Sequence, residues 1–284
     1  MKLKNAQAQV FVPDGMNVKK ALTKTTHIGI GAHHDDLEVM AYHGILQHFE
    51  NKKNWFLGVT VTDGRGSPRS GVYARYTDEE MRKVRRVEQK KAASVGEYTA
   101  VCLLEWPSEL VKNPKDSGVR EDLKEILKAA KPSYIYTHNI ADKHPTHVAV
   151  AVKTIQSLRE LRDIFVPEAV FGCEVWRGLD WMNDKDKVAL DVSSHEGIAN
   201  ALVGLFDSQV CGGKRYDIAT IGRRRANATY LASHEVDKAT HLIFAMDLAP
   251  LVKDISLDIE EYVVGFIKKF EKDVRENIKK LIQG

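Results

Sequence analysis

The sequence predicts an α/β fold, a Rossmann-like and mostly parallel sheet flanked by helices, with a C-terminal elaboration. Three observations predict it. From Thr26 to Leu161, apolar runs of strand length alternate with amphipathic runs of helix length, the repeat of a parallel sheet with right-handed crossovers. The first strand, Thr26 to Ala32, is apolar densely enough for burial on both faces, as parallel strands between helices are. Polar turns rich in His and Asp follow the first and fourth strands, at the end of the sheet where ligands bind in this class.

The elements follow in order. Residues 1–25 are polar and irregular and read as an arm on the surface. After the first strand comes a helix over Glu38 to Lys52, with Met40, Ile45, Leu46 and Phe49 on its inner face. Trp55 to Thr62 is the second strand, and it breaks at Asp63-Gly64-Arg65-Gly66-Ser67-Pro68. Thr77 opens a helix with Glu80 at capping-box distance, and Gly96 closes it. Ala100 to Leu104 is the third strand, Val119 to Ala130 a helix, Ser133 to Thr137 the fourth strand and Thr146 to Leu161 another helix. Beyond residue 165 the alternation loosens. Strands are expected at 169–175, 188–192 and 242–246, and helices at 194–206 and 216–233. The last segment, Ile259 to Leu281, places Val263, Ile267, Phe270, Val274, Ile278 and Leu281 on one stripe, the mark of core or of a subunit contact. The expected organisation is one domain over 1–284, with a core at 26–165 and the elaboration at 166–284.

Composition narrows the class. A chain of 284 residues with 43% hydrophobic and 29% charged residues is ordinary for a globular protein with a full core. The net charge of +3 is small, and basic clusters at 82–86 and 223–225 are balanced by acids elsewhere, which argues against nucleic-acid binding. No signal-peptide core and no window of membrane-spanning length is present, so the expected location is cytoplasmic. Cys102, Cys173 and Cys211 lie far apart without CxxC pairing, which excludes a disulfide frame or a cysteine zinc site. No GxGxxG follows the first strand, against a dinucleotide-binding enzyme.

Two turns carry the chemistry. The first strand ends in Ala32-His33-His34-Asp35-Asp36-Leu37-Glu38, with more imidazole and carboxylate than a helix cap needs. The fourth ends in His138-Asn139-Ile140-Ala141-Asp142-Lys143-His144-Pro145-Thr146-His147. In a parallel sheet these strands can be neighbours, and their turns then face each other. Two His and a carboxylate with an open position form a usual catalytic zinc set, and leftover His and Asp become acid and base.

With both turns in view, the chain resembles the PIG-L (LmbE-like) family of zinc-dependent de-N-acetylases. That family's motifs are Ala-His-Pro-Asp-Asp followed closely by Glu, and His-Pro-Asp-His. The resemblance also covers Thr62-Asp63-Gly64 and Arg86-Val87-Glu88, and extends weakly to Ser208-Gln209. It implies that His33, Asp36 and His147 bind the metal, zinc or another divalent ion. Asp35 is then the general base on the attacking water, and His144 steadies the oxyanion and protonates the leaving amine. Arg86 is the implied substrate contact. The substrate class is a small N-acetylated amino sugar or glycoconjugate of the N-acetylglucosamine type, and relatives often form homo-oligomers.

The departures set further expectations. His34 replaces the family's Pro and is expected to face solvent, with a substrate contact as the alternative. Thr146 replaces an Asp and brings no charge to His144, which predicts a lower His144 pKa and weaker acid catalysis, with Asp142 placed to compensate. The rival reading is a metal-binding homologue with weak or no turnover. His138 is expected to be structural, and His43 and His48 to be surface residues. Trp106 walls the pocket or fills core, and Tyr73 and Tyr76 are candidates for a lid.

Overall fold

The computed structural model describes residues 1–283. The chain runs through β1 (Gln9–Phe11), α1 (Val18–Lys24), β2 (His27–Gly31), α2 (Asp36–Met40), α3 (Tyr42–Glu50) and β3 (Phe56–Thr62). It continues as α4 (Asp78–Val95), β4 (Ala100–Trp106), α5 (Ser108–Lys112), α6 (Gly118–Ala130), β5 (Tyr134–His138) and α7 (Pro145–Leu161). The C-terminal part adds β6 (Ala169–Cys173), β7 (Lys187–Asp191), α8 (Glu196–Gly204), α9 (Asp207–Val210), α10 (Tyr216–Tyr230), β8 (Leu242–Asp247), α11 (Ala249–Lys253) and α12 (Ile259–Gln283).

All eight strands form one sheet in the order β1-β4-β3-β2-β5-β6-β8-β7. The five central strands are parallel, whereas β1, β8 and β7 pair antiparallel to their neighbours at the edges. Every residue of β2 and β3 is buried, as their apolar runs predict, and a hydrophobic cluster packs on each face of the sheet. At Gly29 in the centre of β2, a Cβ would lie 2.8 Å from the Phe56 ring and 3.1 Å from the Ala41 Cβ, so a side chain there would push the α2–α3 junction off the sheet. The capping box at Thr77 forms: its backbone N–H donates to Glu80 Oε2 at 2.7 Å, and its hydroxyl accepts the Glu80 N–H at 3.3 Å.

Two features correct the sequence expectations. The N-terminal arm is ordered, with Gln9–Phe11 extending the sheet beside β4 and α1 burying Ala21 and Leu22. The helix expected over 38–52 is two helices broken at Ala41. The cause comes from far along the chain. The buried guanidinium of Arg224, on α10, donates to Glu38 O at 2.7 Å and Val39 O at 3.0 Å. Those are the carbonyls a continuous helix would offer to the amides of residues 42 and 43, and a side chain that takes them breaks the ladder.

Because β2 and β5 are parallel neighbours, their carboxyl ends open side by side. Among the described residues no helix is long and apolar enough to cross a membrane.

Candidate metal centre

The turn after β2 is tight. Asp35 occupies the N-cap of α2 with φ 92°, a left-handed conformation costly for a non-glycine residue. The Gln89 side chain accepts its N–H at 3.4 Å, and Gln89 donates in turn to Glu38 Oε1 at 2.8 Å. Tyr98 donates to the same Glu38 oxygen at 2.7 Å. This relay from α4 holds the turn from beneath. Burial pushes Glu38 up to about 7.

Across the strand pair, three donor atoms converge. His33 Nδ1 lies 3.1 Å from His147 Nε2 and 3.3 Å from Asp36 Oδ2, and the last two are 3.5 Å apart. Donors about 2.0–2.2 Å from a tetrahedral zinc sit about 3.4 Å from one another, so this set fits such an ion without rearrangement. The neighbourhood also contains two overlapping triplets, His33 with His144 and His147, and Asp36 with His138 and His147. His138 stacks on His147 with ring centroids 3.9 Å apart, but its Nε2 already accepts the Ala32 N–H at 2.9 Å. That bond uses the lone pair a metal would need, and suits the structural role expected of His138.

The electrostatics match the donor set. Burial acts to raise Asp36, yet the adjoining His147 and His138 hold its carboxyl well below the usual range. Burial pushes His147 down to about 3, which leaves its ring neutral and able to offer a lone pair. Asp142 stands 3.7 Å behind His147 Nδ1 and accepts the backbone amides of His144 at 2.8 Å, Trp176 at 3.0 Å and Arg177 at 3.2 Å. Although burial opposes ionisation, the contact with His147 and these amides keep Asp142 at about 2. Asp142 therefore backs His147, not His144, in the arrangement of a carboxylate that orients a metal-binding imidazole. The Thr146 side chain is buried, and the His144 Nδ1 is buried without a hydrogen-bond partner. Burial and the neighbouring His33 lower the His144 pKa, the direction expected from a turn that lacks the family's second carboxylate.

A cavity of about 690 Å³ opens over this cluster, and His33, Asp35, Asp36, His144 and Thr146 line it together. Arg86 is not among its lining residues. Its guanidinium grips the buried carboxylate of Glu105, Nε to Oε1 at 2.8 Å and Nη2 to Oε2 at 2.9 Å. Of the adjacent pair it is Arg85 that lines the cavity, together with Arg223 and Arg224 of α10. Arg85 is almost fully buried, donates to the His34 carbonyl, and lies 3.3 Å from Asp35 Oδ2 and 3.3 Å from Ser208 Oγ. Glu88 accepts both the N–H and the hydroxyl of Ser208, at 2.7 and 2.6 Å. Arg85 and Glu88 are three apart and share a helix face, a signal legible in the sequence had that spacing been preferred to Arg86 and Glu88. Burial pushes Asp35 up to about 7, against the opposing pull of Arg85.

Other expectations resolve differently. His34 does not face solvent. It is fully buried under Gly64 and Arg85, neither ring nitrogen has a partner, and burial holds its pKa well below the usual value. His48 is buried, with Nδ1 2.5 Å from Asn54 O, and His43 is half-buried against the Tyr136 hydroxyl at 2.8 Å. Trp106 donates to Asp122 at 2.9 Å and packs on Gly118, away from the cavity. Of the 63–77 loop, Gly64, Gly66, Ser67 and Pro68 line the cavity, whereas Tyr73 is held 2.6 Å from Asp207 outside it. On the far wall, Trp176 and Tyr216, edge to face at 6.1 Å, came without sequence warning, whereas Gln209 belongs to the Ser208-Gln209 pair of the resemblance.

No curated protein matches the chain in sequence. Among solved structures, the N,N′-diacetylchitobiose deacetylase of Pyrococcus horikoshii aligns with a TM-score of 0.60 at 16% identity, covering 81% of this chain and 86% of that one. The 4-carboxy-2-hydroxymuconate hydratase GalB of Pseudomonas putida aligns at 0.59 and 14% identity, over 79% and 96% of the two chains. Dbv21, a deacetylase of the A40926 pseudoaglycone, aligns at 0.57 and 15%, over 79% and 97%. Deacetylases and a hydratase share this architecture, so the fold alone does not select the reaction. The profile of the PIG-L family, described as GlcNAc-PI de-N-acetylase, matches residues 28–158, the stretch that carries both His/Asp turns. Through that core, 131 of its 284 residues, the chain is similar to the PIG-L family, and it has the mixed α/β fold of the LmbE-like deacetylases.

Proposed function

We propose that this protein is a metal-dependent N-deacetylase acting on an N-acetylated amino sugar or a glycoconjugate that carries one. The observation that carries the reading is the convergence of His33 Nδ1, Asp36 Oδ2 and His147 Nε2, with Asp35 and His144 lining the same cavity. His33, Asp36 and His147 are the residues that would hold the ion. Bound there, zinc or another divalent ion supplies Lewis acidity toward the acyl oxygen and the attacking water.

The remaining steps belong to the chain's own residues. Asp35, which burial raises to about 7 against the pull of Arg85, accepts the proton of the attacking water in its ionised form. Arg85 fixes that carboxylate and the His34 carbonyl, so the base keeps its aim. His144, stacked against His147 at 4.5 Å, protonates the departing amine. Trp176 and Tyr216 offer aromatic walls for a sugar ring. This assignment moves the arginine of the site from Arg86 to Arg85.

One observation favours a slower enzyme as the second reading. The unpartnered His144 Nδ1 beside Thr146 lacks the charge that would stabilise an imidazolium, which limits acid catalysis. The test is acetate release from N-acetylglucosamine and N-acetylated glycoconjugates, with metal-stripped and zinc-loaded protein and Asp35→Asn as the blank. Release that needs zinc and is lost in D35N supports the proposal. Release unchanged in D35N, or stripped protein that takes up no zinc, overturns it.

A further inference from the structure

Beyond Phe270, which meets the Trp181 ring edge to face at 6.3 Å, the apolar face of α12 is uncovered among the described residues. Val263 is buried, Tyr262 donates to Asp247 O at 2.7 Å, and Lys269 pairs with Asp186 at 2.9 Å, which anchors the first turns. From Ile267 onward every described side chain is exposed. At 100° per residue, Ile267, Phe270, Val274, Ile278 and Leu281 fall within an arc of about 80°, in line with the buried Val263. Ile278 is 52% and Leu281 87% exposed. A helix of this length projecting roughly 25 Å is marginal in water by itself and gains most of its stability from packing that stripe.

We propose that α12 pairs with α12 of a second copy, antiparallel, about a two-fold axis near Val274. Charge favours this occupant and this direction. Glu271 and Arg275 lie on the same flank of the stripe and already pair within the helix at 2.7 Å. In an antiparallel pair like flanks face each other, so Glu271 meets Arg275 of the partner subunit, and the symmetry makes the contact twice. The antiparallel arrangement also carries the two sheets to opposite ends of the pair. Stacked in this register, Ile267 covers Leu281 of the partner subunit, and Phe270 covers Ile278 of the partner subunit. The exposed apolar side chains bury roughly 600 Å² per chain, about 1,200 Å² in all, at the lower edge of stable interfaces. That area fits a dimer of micromolar affinity. The inference is independent of the deacetylase reading.

The test is sedimentation of the full chain from about 1 to 100 µM, the range that brackets a micromolar dissociation constant. The expected result is a monomer–dimer equilibrium that I278E/L281E weakens more than about tenfold, with a melting temperature equal to the parent's at concentrations where both are monomeric, because both side chains are then exposed. Glu271→Arg alone weakens it several-fold, and E271R/R275E restores it. A monomer throughout overturns the proposal, as does a dimer indifferent to I278E/L281E. So does a charge swap that fails to rescue, or a monomer that co-sediments with lipid vesicles through this helix.

Discussion

Glu105 offers a measurement that separates the adjacent arginines Arg85 and Arg86 of α4. Its side chain is shut off from solvent at the end of β4, and it receives Arg82 Nε at 2.7 Å and two nitrogens of Arg86 at 2.8 and 2.9 Å. Glu105→Gln keeps the volume but removes the charge. Two guanidiniums, one buried and one four-fifths buried, are left against a neutral amide. Removing one partner of a buried pair costs about 3–5 kcal/mol. Because Arg86 retains a route to water, the lower end, about 3 kcal/mol, is expected. Arg86→Met leaves Glu105 paired with Arg82 and should cost about 1–2 kcal/mol. The double variant should cost clearly less than the sum, since both changes dismantle one network. Urea unfolding curves measure all three, with Cm shifts at constant m. In parallel, KM for the acetylated substrate should be unchanged in R86M. A Glu105→Gln cost under about 1 kcal/mol, or an R86M that folds normally and raises KM tenfold, refutes the structural role and returns Arg86 to substrate binding.

Three further outcomes are expected. Asp142→Asn should weaken metal affinity about 10- to 100-fold in chelator competition, because the carboxylate behind His147 orients its ring; unchanged affinity would leave Asp142 a mere turn-former. Gly64→Ala should destabilise by about 1–2 kcal/mol and lower kcat, since Gly64 has φ 71° and its Cβ would lie 2.8 Å from His34 Nδ1; a neutral effect in both assays would contradict the packed turn. His27 is held at about 4 by burial, against 6.5 in the unfolded chain, so the unfolded state takes up a proton first as pH falls. Its contribution is complete above pH 6.5 and is lost between 6.5 and 4, up to about 3 kcal/mol, and His27→Gln should flatten that part of the stability profile by a similar amount.

The convergence of the two turns was legible because both concentrate imidazole and carboxylate at strand ends, and strand–helix alternation requires parallel strands with their carboxyl ends on one side. His33, Asp36 and His147 need only β2 and β5 to be neighbours, which they are. The break at Ala41 was not legible, because a side chain from α10 takes the carbonyls and no Pro or Gly marks the spot. His34 reads as a surface residue until Gly64 and Arg85 close over it.

Local pattern and covalent spacing thus determined the α/β class, the two polar turns, the capping box at Thr77 and the apolar stripe of α12. Tertiary packing decided which of two adjacent arginines faces the cavity. Arg85 and Arg86 have identical chemistry, and the 100° between them sends one to Asp35 and the other to Glu105. It also decided that Asp142 stands behind His147 instead of His144, because that pairing depends on the path of the β5 turn beneath Trp176 and Arg177. Contacts between residues distant in sequence are set by the whole sheet closing on itself, and no short stretch of chain contains that information.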